Sequence, residues 1–183
     1  ADSATIPIAA KVRLPDKQFS TVGEWKEAQL FGQQLFTGGG KYVTIFEGEY
    51  DAAAGYQMQG SKYPCVSVRN GASAALKDCK AAYEWLDTFD AIVVCFDSDD
   101  VGQKAAREVA ELFGGKSAVM KHPPQYKDAN DYLMDNNIKD FTAAFWAAEK
   151  FVPDGIINGA SLWDEVNRPV EKSAVMYPWQ NLN

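Results

Sequence analysis

The sequence has few of the residues that build zinc sites or disulfide frameworks. Its 183 residues contain three cysteines, Cys65, Cys79 and Cys95, and a single histidine, His122. No two cysteines stand at CxxC spacing, which argues against a zinc site within the chain. An odd number of scattered cysteines inside apolar segments instead predicts buried free thiols in a reducing compartment.

Long apolar runs and a P-loop are missing as well. No run approaches the ~18 apolar residues that a membrane helix needs. The N-terminus lacks a basic flank followed by an apolar run, so we expect neither a signal peptide nor a membrane partner. Nothing matches Gly-x-x-x-x-Gly-Lys-Ser/Thr, so a P-loop that hydrolyses nucleoside triphosphates is not expected in this chain.

Basic residues are scarce and unevenly placed. The net charge is −7, yet residues 1–41 hold five Lys/Arg against four Asp/Glu, whereas residues 42–183 hold thirteen against twenty-one. An acidic body with a mildly basic N-terminal arm suits a protein that concentrates cations in one place and contacts phosphate in another. The same charges suit an ordinary acidic globule, so charge alone does not choose between these readings.

Strand and helix patterns alternate from residue 41 onward. This alternation predicts an α/β fold with a parallel four-stranded sheet flanked by helices, in which ligands bind beyond the carboxyl ends of the strands. A loosely alternating segment over 4–20, with a turn at Pro15-Asp16-Lys17, predicts a short N-terminal β arm. Ser73 is the predicted N-cap of the second helix. We place the strands at 42–46, 65–68, 91–96 and 116–120, and the helices at about 50–59, 73–87, 101–113, 129–136 and 140–150.

Acidic residues follow the first and third predicted strands. Glu47 ends the first strand, and Asp97 and Asp99 follow the third. Side chains at i and i+2 of an extended segment point the same way, so the two aspartates project together, and Glu47 joins them if the two strands are neighbours. Converging carboxylates repel one another unless a cation neutralises them, and oxygen-only ligands select Mg²⁺ or Mn²⁺. An isolated Asp-x-Asp is usually a solvated loop, but its place between a buried strand and Gly102 favours a metal site.

These motifs resemble a known signature. Glu47-Gly48 with Asp51, followed by Asp97-x-Asp99-x-x-Gly102, resembles the toprim signature that bacterial-type primases share with type IA and II topoisomerases and several nucleases. Further patches are similar to phage primase-helicases and to their relative, the mitochondrial replicative helicase. They are Lys127-Asp128-Ala129-Asn130-Asp131, Asn70-Gly71-Ala72-Ser73, Lys11-Val12-Arg13 and Leu30-Phe31-Gly32. The resemblance runs from about residue 8 to the end of the chain. It implies a toprim fold and a DNA primase that condenses NTPs into RNA primers on a single-stranded DNA template.

The resemblance also implies roles for individual residues. Glu47, Asp97 and Asp99 would be catalytic and would hold Mg²⁺ or Mn²⁺, with Glu47 as a ligand or as the general base. Asp128 would be a supporting metal ligand. The candidates for nucleotide or DNA binding are Lys11, Arg13, Lys17, Arg69 and Lys127, of which Lys127 would bind the triphosphate. Ordinary surface roles for these basic residues stay open at this point.

A division of the chain follows from the same resemblance. Residues 1–40 would be a basic β arm from a primase N-terminal subdomain, 41–152 the toprim catalytic domain, and 153–183 a linker toward a helicase domain. We therefore expect a fragment of a longer phage protein, which would also carry a zinc-binding module and a hexameric helicase domain. That protein would work in the cytoplasm of an infected bacterial host.

Two other functions stay open from the sequence. A toprim nuclease would cut phosphodiesters with the same metals, and a non-catalytic module would only bind DNA within a replicative helicase. The arm and the linker-like C-terminal segment favour the primase over the nuclease, and the intact Glu47, Asp97 and Asp99 argue against a non-catalytic module. A topoisomerase fits least, because the chain lacks a tyrosine-bearing domain.

Overall fold

An antiparallel hairpin opens the part of the chain that the structure describes. The structure is a computed structural model and describes residues 8–15, 18–153 and 159–168. Strand β1 (Ala9–Arg13) pairs with β2 (Phe19–Gly23), which confirms the predicted β arm. The backbone N–H of Leu14 donates to the carbonyl of Gln18 over 2.8 Å and closes the hairpin. Asp16 and Lys17 lie outside the described residues.

A five-stranded sheet forms the centre of the first of two compact units, Ala1–Phe151 and Val152–Asn183. Its strands lie in the order β4-β3-β5-β6-β7, and the first four of these are parallel. The strands are β3 (Gly40–Phe46), β4 (Cys65–Ser67), β5 (Phe89–Cys95), β6 (Ser117–Val119) and β7 (Glu149–Lys150). The helices that flank them are α1 (Glu49–Met58), α2 (Ala75–Ala81), α3 (Tyr83–Leu86), α4 (Asp100–Phe113), α5 (Ala129–Met134) and α6 (Ile138–Trp146).

The core lies on both faces of the sheet, because β3 and β5 are buried on both sides. Alternate residues such as Val43 and Ile92 pack with α2 and α4, whereas Phe46 and Val93 pack with α1, α5 and α6. All three cysteines are buried and free, as the sequence predicted. Two short apolar strands therefore fix the carboxyl edge of the sheet, where the predicted acidic residues emerge.

Three details of the predicted fold were wrong. The sheet has a fifth strand, because the predicted helix over 140–150 ends at Trp146 and the two-residue strand β7 then pairs antiparallel with β6. The predicted helix over 73–87 is a 3₁₀ turn followed by α2 and α3, which are separated at Ala82. Ser73 lies inside that 3₁₀ turn, which begins after Gly71 with its positive φ, and the residue before α2 is Ala74. Ser73 therefore does not cap α2.

Within the described residues of the second unit, 152–153 and 159–168, a 3₁₀ turn at Gly159–Leu162 precedes a short helix, α7 (Trp163–Val166). The Tyr177-Pro178-Trp179 segment lies outside the described residues. Among the helices in the described ranges, none has the length and apolar character needed to span a membrane.

Candidate active site at the carboxyl edge of the sheet

Strands β3 and β5 are direct neighbours. Phe46 is in register with Cys95, so both strands end at the same level of the sheet. Glu47 follows β3 at once, and Asp97 follows β5 after one further residue. Glu47 and Asp97 therefore follow neighbouring strands, which was the condition for their carboxylates to lie close together.

Glu47 is half-buried, and only one of its carboxylate oxygens has a hydrogen-bond partner. Its Oε1 accepts from the backbone N–H of Ala72 over 3.3 Å. Its Oε2 is buried and has no partner. Burial, and then the charge of Asp97, raise the pKa of Glu47 above its usual range. A buried oxygen without a partner is unfavourable unless something binds it, and a cation would satisfy it.

The loop after β5 fixes Asp97 and Asp99 next to each other. Asp99 is the N-cap of α4, and its Oδ1 accepts from the N–H of Gly102 over 2.9 Å. Position 102 must be glycine, because a Cβ there would lie 2.5 Å from the backbone oxygen of Asp97. The side-chain amide of Gln103 donates to that same oxygen over 3.0 Å. The glycine in the sequence motif is thus explained by close backbone packing beneath Asp97.

Lys127 neutralises this pair of aspartates. Its Nζ lies 2.7 Å from Oδ2 of Asp97 and 3.8 Å from Oδ2 of Asp99. The hydrogen bond to Asp97 and the charge of that carboxylate raise the pKa of Lys127. The carbonyl of Lys127 also accepts from the N–H of Ser98 over 2.8 Å, which ties its loop to the one after β5. The Lys127 side chain is 58% exposed, so it is free to move.

A second carboxyl pair, formed by Asp51 and Asp128, lies beside the first and was not predicted from the sequence. Burial and the charge of Asp128 raise the pKa of Asp51 to about 7. Asp51 Oδ1 accepts from the N–H of Asn130 over 3.0 Å, and Asp128 Oδ1 accepts from the N–H of Asp131 over 3.0 Å. The available signal was the place of Asp51 in the toprim pattern, two residues after Glu49 on the first turn of α1.

The donor set fits a hard divalent cation. Glu47, Asp97 and Asp99 offer only oxygen, and one of these oxygens, Glu47 Oε2, is buried without a partner. As the side chains stand, no three His, Cys, Asp or Glu residues within the described ranges are arranged to hold an ion. The ammonium of Lys127 provides the positive charge at Asp97 in this arrangement. An ion at Asp97 would therefore have to compete with Lys127.

Two of the predicted basic residues of the arm, Lys11 and Arg13, contact the first turn of α1. Lys11 is half-buried, and its Nζ donates to Oε1 of Glu49 over 2.6 Å and to the carbonyl of Arg69 over 3.0 Å. The guanidinium of Arg13 lies over the ring of Tyr50 at 5.5 Å. Lys17 lies outside the described residues, so its position relative to the site stays a prediction.

Arg69 is engaged by the protein itself. Its Nη2 and Nε donate to Oδ1 of Asp78 over 2.6 and 3.1 Å. Its Nη1 donates to the carbonyls of Trp25, Lys26 and Ala28 over 3.1, 3.2 and 2.7 Å. Arg69 thus links α2 to the segment after the hairpin. Nucleotide binding by Arg69 stays an untested prediction, and it would require the guanidinium to leave these partners.

The chain is similar to known proteins over the segment that carries these residues. A model of the family described as Toprim-like matches residues 44–133, which include Glu47, Asp97, Asp99 and Asp128. The DNA helicase/primase of Enterobacteria phage T3 is 42% identical over 160 residues, which cover 87% of this chain and 28% of that protein. A more distant relative is the chloroplastic/mitochondrial Twinkle homolog protein of Arabidopsis thaliana. It is 28% identical over 166 residues, covering 77% of this chain and 23% of that protein.

Two solved structures from bacteriophage T7 share the fold. One is the primase fragment of the primase-helicase protein, with a TM-score of 0.69 and 40% identity over 76% of this chain and 57% of that chain. The other is the lagging-strand DNA polymerase interacting with primase domains of two gp4 subunits bound to an RNA/DNA hybrid and dTTP. A chain in it matches with a TM-score of 0.70 and 40% identity, over 77% of this chain and 71% of that chain. This chain spans about a quarter of the length of the curated relatives. By motif, sequence identity and fold, the chain belongs to the toprim-type primase domains of phage helicase/primase proteins.

Proposed function

We propose that this chain catalyses the synthesis of short RNA primers from NTPs on a single-stranded DNA template. The single observation that carries the proposal is the group of Glu47, Asp97 and Asp99 at the ends of two adjacent parallel strands, with Lys127 from the loop before α5 paired to both aspartates. This group offers oxygen ligands for a divalent cation and an ammonium for a triphosphate. Family membership supports the choice of primer synthesis among the reactions that such a group could catalyse.

The proposed metal site consists of Glu47, Asp97 and Asp99, with Asp128 as a supporting ligand. Mg²⁺ or Mn²⁺ bound there would stabilise charge on the attacking and leaving oxygens of the phosphoryl transfer. Asp99 is held in place by its bond from Gly102, and Asp97 by the backbone packing beneath it. These supports keep both carboxylates at the end of β5, so that little reorganisation is needed when the substrate binds.

Glu47 and Lys127 have roles in proton transfer and substrate binding in this proposal. Glu47 would serve either as a metal ligand or as the general base. In the second role its carboxylate would accept the proton of the attacking 3′-hydroxyl, and the raised pKa of Glu47 makes it a stronger base than an ordinary carboxylate. Lys127 is exposed enough to leave Asp97 and to bind the triphosphate of the incoming nucleotide. We keep Arg13, Lys11 and Lys17 as the proposed contacts to template and nucleotide.

The remaining partners are proposals as well. The relatives are helicase/primases, so we propose that the complete protein adds a zinc-binding module that reads the template and a hexameric helicase domain. Residues 1–40, 41–152 and 153–183 would be its arm, its catalytic domain and its linker. It would act during phage DNA replication in the cytoplasm of the infected bacterium.

The test is RNA synthesis on a single-stranded DNA template with labelled ribonucleotides, during titration with Mg²⁺ and Mn²⁺. We expect short RNA products that depend on the metal. Asp97→Asn, which keeps the size of the side chain but removes its charge, should lower the rate by roughly a thousandfold, a loss of ~4 kcal/mol in transition-state stabilisation.

Asp90→Asn is the matched control, because Asp90 is an exposed aspartate near the start of β5, at the amino ends of the parallel strands and away from the candidate site. It should synthesise RNA at the wild-type rate. Cleavage of the DNA without NTPs and without RNA products would identify a nuclease and refute the proposal. Near-normal synthesis by Asp97→Asn would refute the proposed metal site.

A further inference from the structure

The inner face of the hairpin presents two cations and a ring toward the sheet domain. Arg13 is in register with Phe19 in the antiparallel pair, so both side chains lie on the same face. Lys11 lies two residues before Arg13 on β1 and shares that face. Its bonds to Glu49 and to the carbonyl of Arg69 show that this is the face turned toward α1.

Two aromatic rings on this surface are largely exposed. Tyr50 in the first turn of α1 is 64% exposed, and Phe19 on β2 is 55% exposed. Each ring has a cation above it: the guanidinium of Arg13 lies 5.5 Å from the Tyr50 centroid, and Nζ of Lys11 lies 4.6 Å from the Phe19 centroid. Neither ring is part of the buried core. Their hydrophobic area is therefore available to a partner.

The place of these rings links them to the candidate active site. Tyr50 stands between Glu49, which holds Lys11, and Asp51, which faces Asp128 across the site. Glu47 is three residues before Tyr50. Tyr50 is the second residue of a ten-residue helix whose inner side packs on the sheet, so its backbone is fixed close to residues of the candidate site.

The chemistry of the surface selects single-stranded nucleic acid. Aromatic rings stack on bases whatever the sequence, and neighbouring cations bind the phosphates between them. Bases within a duplex are already stacked on one another and cannot use such rings. The rest of the chain is strongly acidic, so an anionic polymer would be attracted mainly to this arm.

We propose that Phe19 and Tyr50 form a stacking platform for the bases of the single-stranded DNA template, with Arg13 contacting its phosphates and Lys11, bonded to Glu49, supporting the Phe19 ring. This inference rests on the proposed function, because it takes the template as the strand that approaches Glu47, Asp97 and Asp99. It adds that the template is held by its bases through rings, in addition to the charge of the arm.

The test compares two fluorescein-labelled DNA oligonucleotides of twelve nucleotides, oligo-dT and an abasic strand of the same length and charge. Anisotropy gives the dissociation constant of each strand without metal or NTPs. Tyr50→Ala should weaken the binding of oligo-dT about fivefold or more and leave the binding of the abasic strand unchanged. Tyr50→Phe keeps the ring and should bind as the wild type does. Phe19→Ala should repeat the result of Tyr50→Ala.

Two controls separate stacking from charge and from general damage. Tyr83→Ala removes another exposed tyrosine, on α3 before the amino end of β5, and should not change binding. Arg13→Ala should weaken both strands and reduce the slope of log affinity against log salt by about 0.7, whereas Tyr50→Ala should leave that slope unchanged.

Equal weakening of both strands in Tyr50→Ala would overturn the platform, and so would a wild-type protein that binds the abasic strand as tightly as oligo-dT. Neither result would refute the proposed function, because metal-dependent RNA synthesis is measured in a separate assay. Conversely, a selective loss of oligo-dT binding together with no RNA synthesis by the wild type would refute the proposed function and keep the platform.

Discussion

Arg69→Met should destabilise the protein by breaking a buried ion pair. The side chain of Arg69 is 11% exposed and that of Asp78 is 1% exposed, so the pair is almost fully removed from water. The methionine would keep much of the apolar stem, but it would leave the Asp78 carboxylate without its main partner. It would also leave three backbone carbonyls, of Trp25, Lys26 and Ala28, without their donor.

The expected loss follows from the burial of the pair. Removal of one partner from a buried ion pair costs about 3–5 kcal/mol, because an uncompensated charge remains inside. Arg69 keeps slight access to water, so we expect a value near the lower end, about 3 kcal/mol. The assay is urea unfolding, in which this loss lowers the midpoint by about 1–2 M for a typical slope. The double variant Arg69→Met/Asp78→Leu should recover part of the loss, because no buried charge is left unpaired.

Nucleotide affinity decides between this structural role and the binding role that the sequence predicted for Arg69. If Arg69 only stabilises the fold, the folded fraction of the Arg69→Met molecules should bind NTPs with the affinity of the wild type. The structural role would be refuted if the free energy of unfolding of Arg69→Met lay within about 0.5 kcal/mol of the wild-type value while its NTP affinity was much weaker.

Three further outcomes follow from the site. Gly102→Ala should destabilise the protein by about 1–3 kcal/mol, because its Cβ would stand 2.5 Å from the Asp97 backbone oxygen; a wild-type urea midpoint would contradict this. Lys127→Met should tighten Mn²⁺ binding by up to about fivefold, since an exposed ion pair to Asp97 is worth at most about 1 kcal/mol. Electron paramagnetic resonance of free Mn²⁺ measures this, and weaker binding would count against competition. The pKa of Asp51 is about 7 in the fold against 3.8 for a free aspartate, so its neutral form stabilises the metal-free protein at low pH. That contribution should be lost as the pH rises from about 4 through about 7, and Asp51→Asn should reduce this dependence in urea unfolding at pH 5 and pH 8.

The sequence predicted the carboxyl edge of the sheet because the information there is local. Apolar runs located β3 and β5, and the acidic residues follow those runs directly. The sequence left the adjacency of the two strands as a condition, and the pairing of β3 with β5 fulfils it and brings Glu47 to Asp97. The five-stranded sheet was missed, because a two-residue strand such as β7 has too few residues to show a pattern.

Contacts between distant segments could not be predicted in the same way. Asp51 and Asn130 are 79 residues apart, and their hydrogen bond depends on how α5 packs against α1. The carbonyls that bind Arg69 lie 41 to 44 residues before it, in and just after a three-residue 3₁₀ helix, Trp25–Glu27. Every residue has a backbone carbonyl, so a sequence does not show which carbonyls accept hydrogen bonds from an arginine. From the sequence alone, such an arginine cannot be distinguished from one that binds phosphate.

The most direct test of the central claim is to locate Mn²⁺ by anomalous diffraction in crystals of this chain soaked with Mn²⁺. We expect a peak bonded to oxygens of Glu47, Asp97 and Asp99, with the ammonium of Lys127 moved away from Asp97. A peak bonded to other residues, or Lys127 still paired with Asp97 at saturating Mn²⁺, would contradict the proposed metal site.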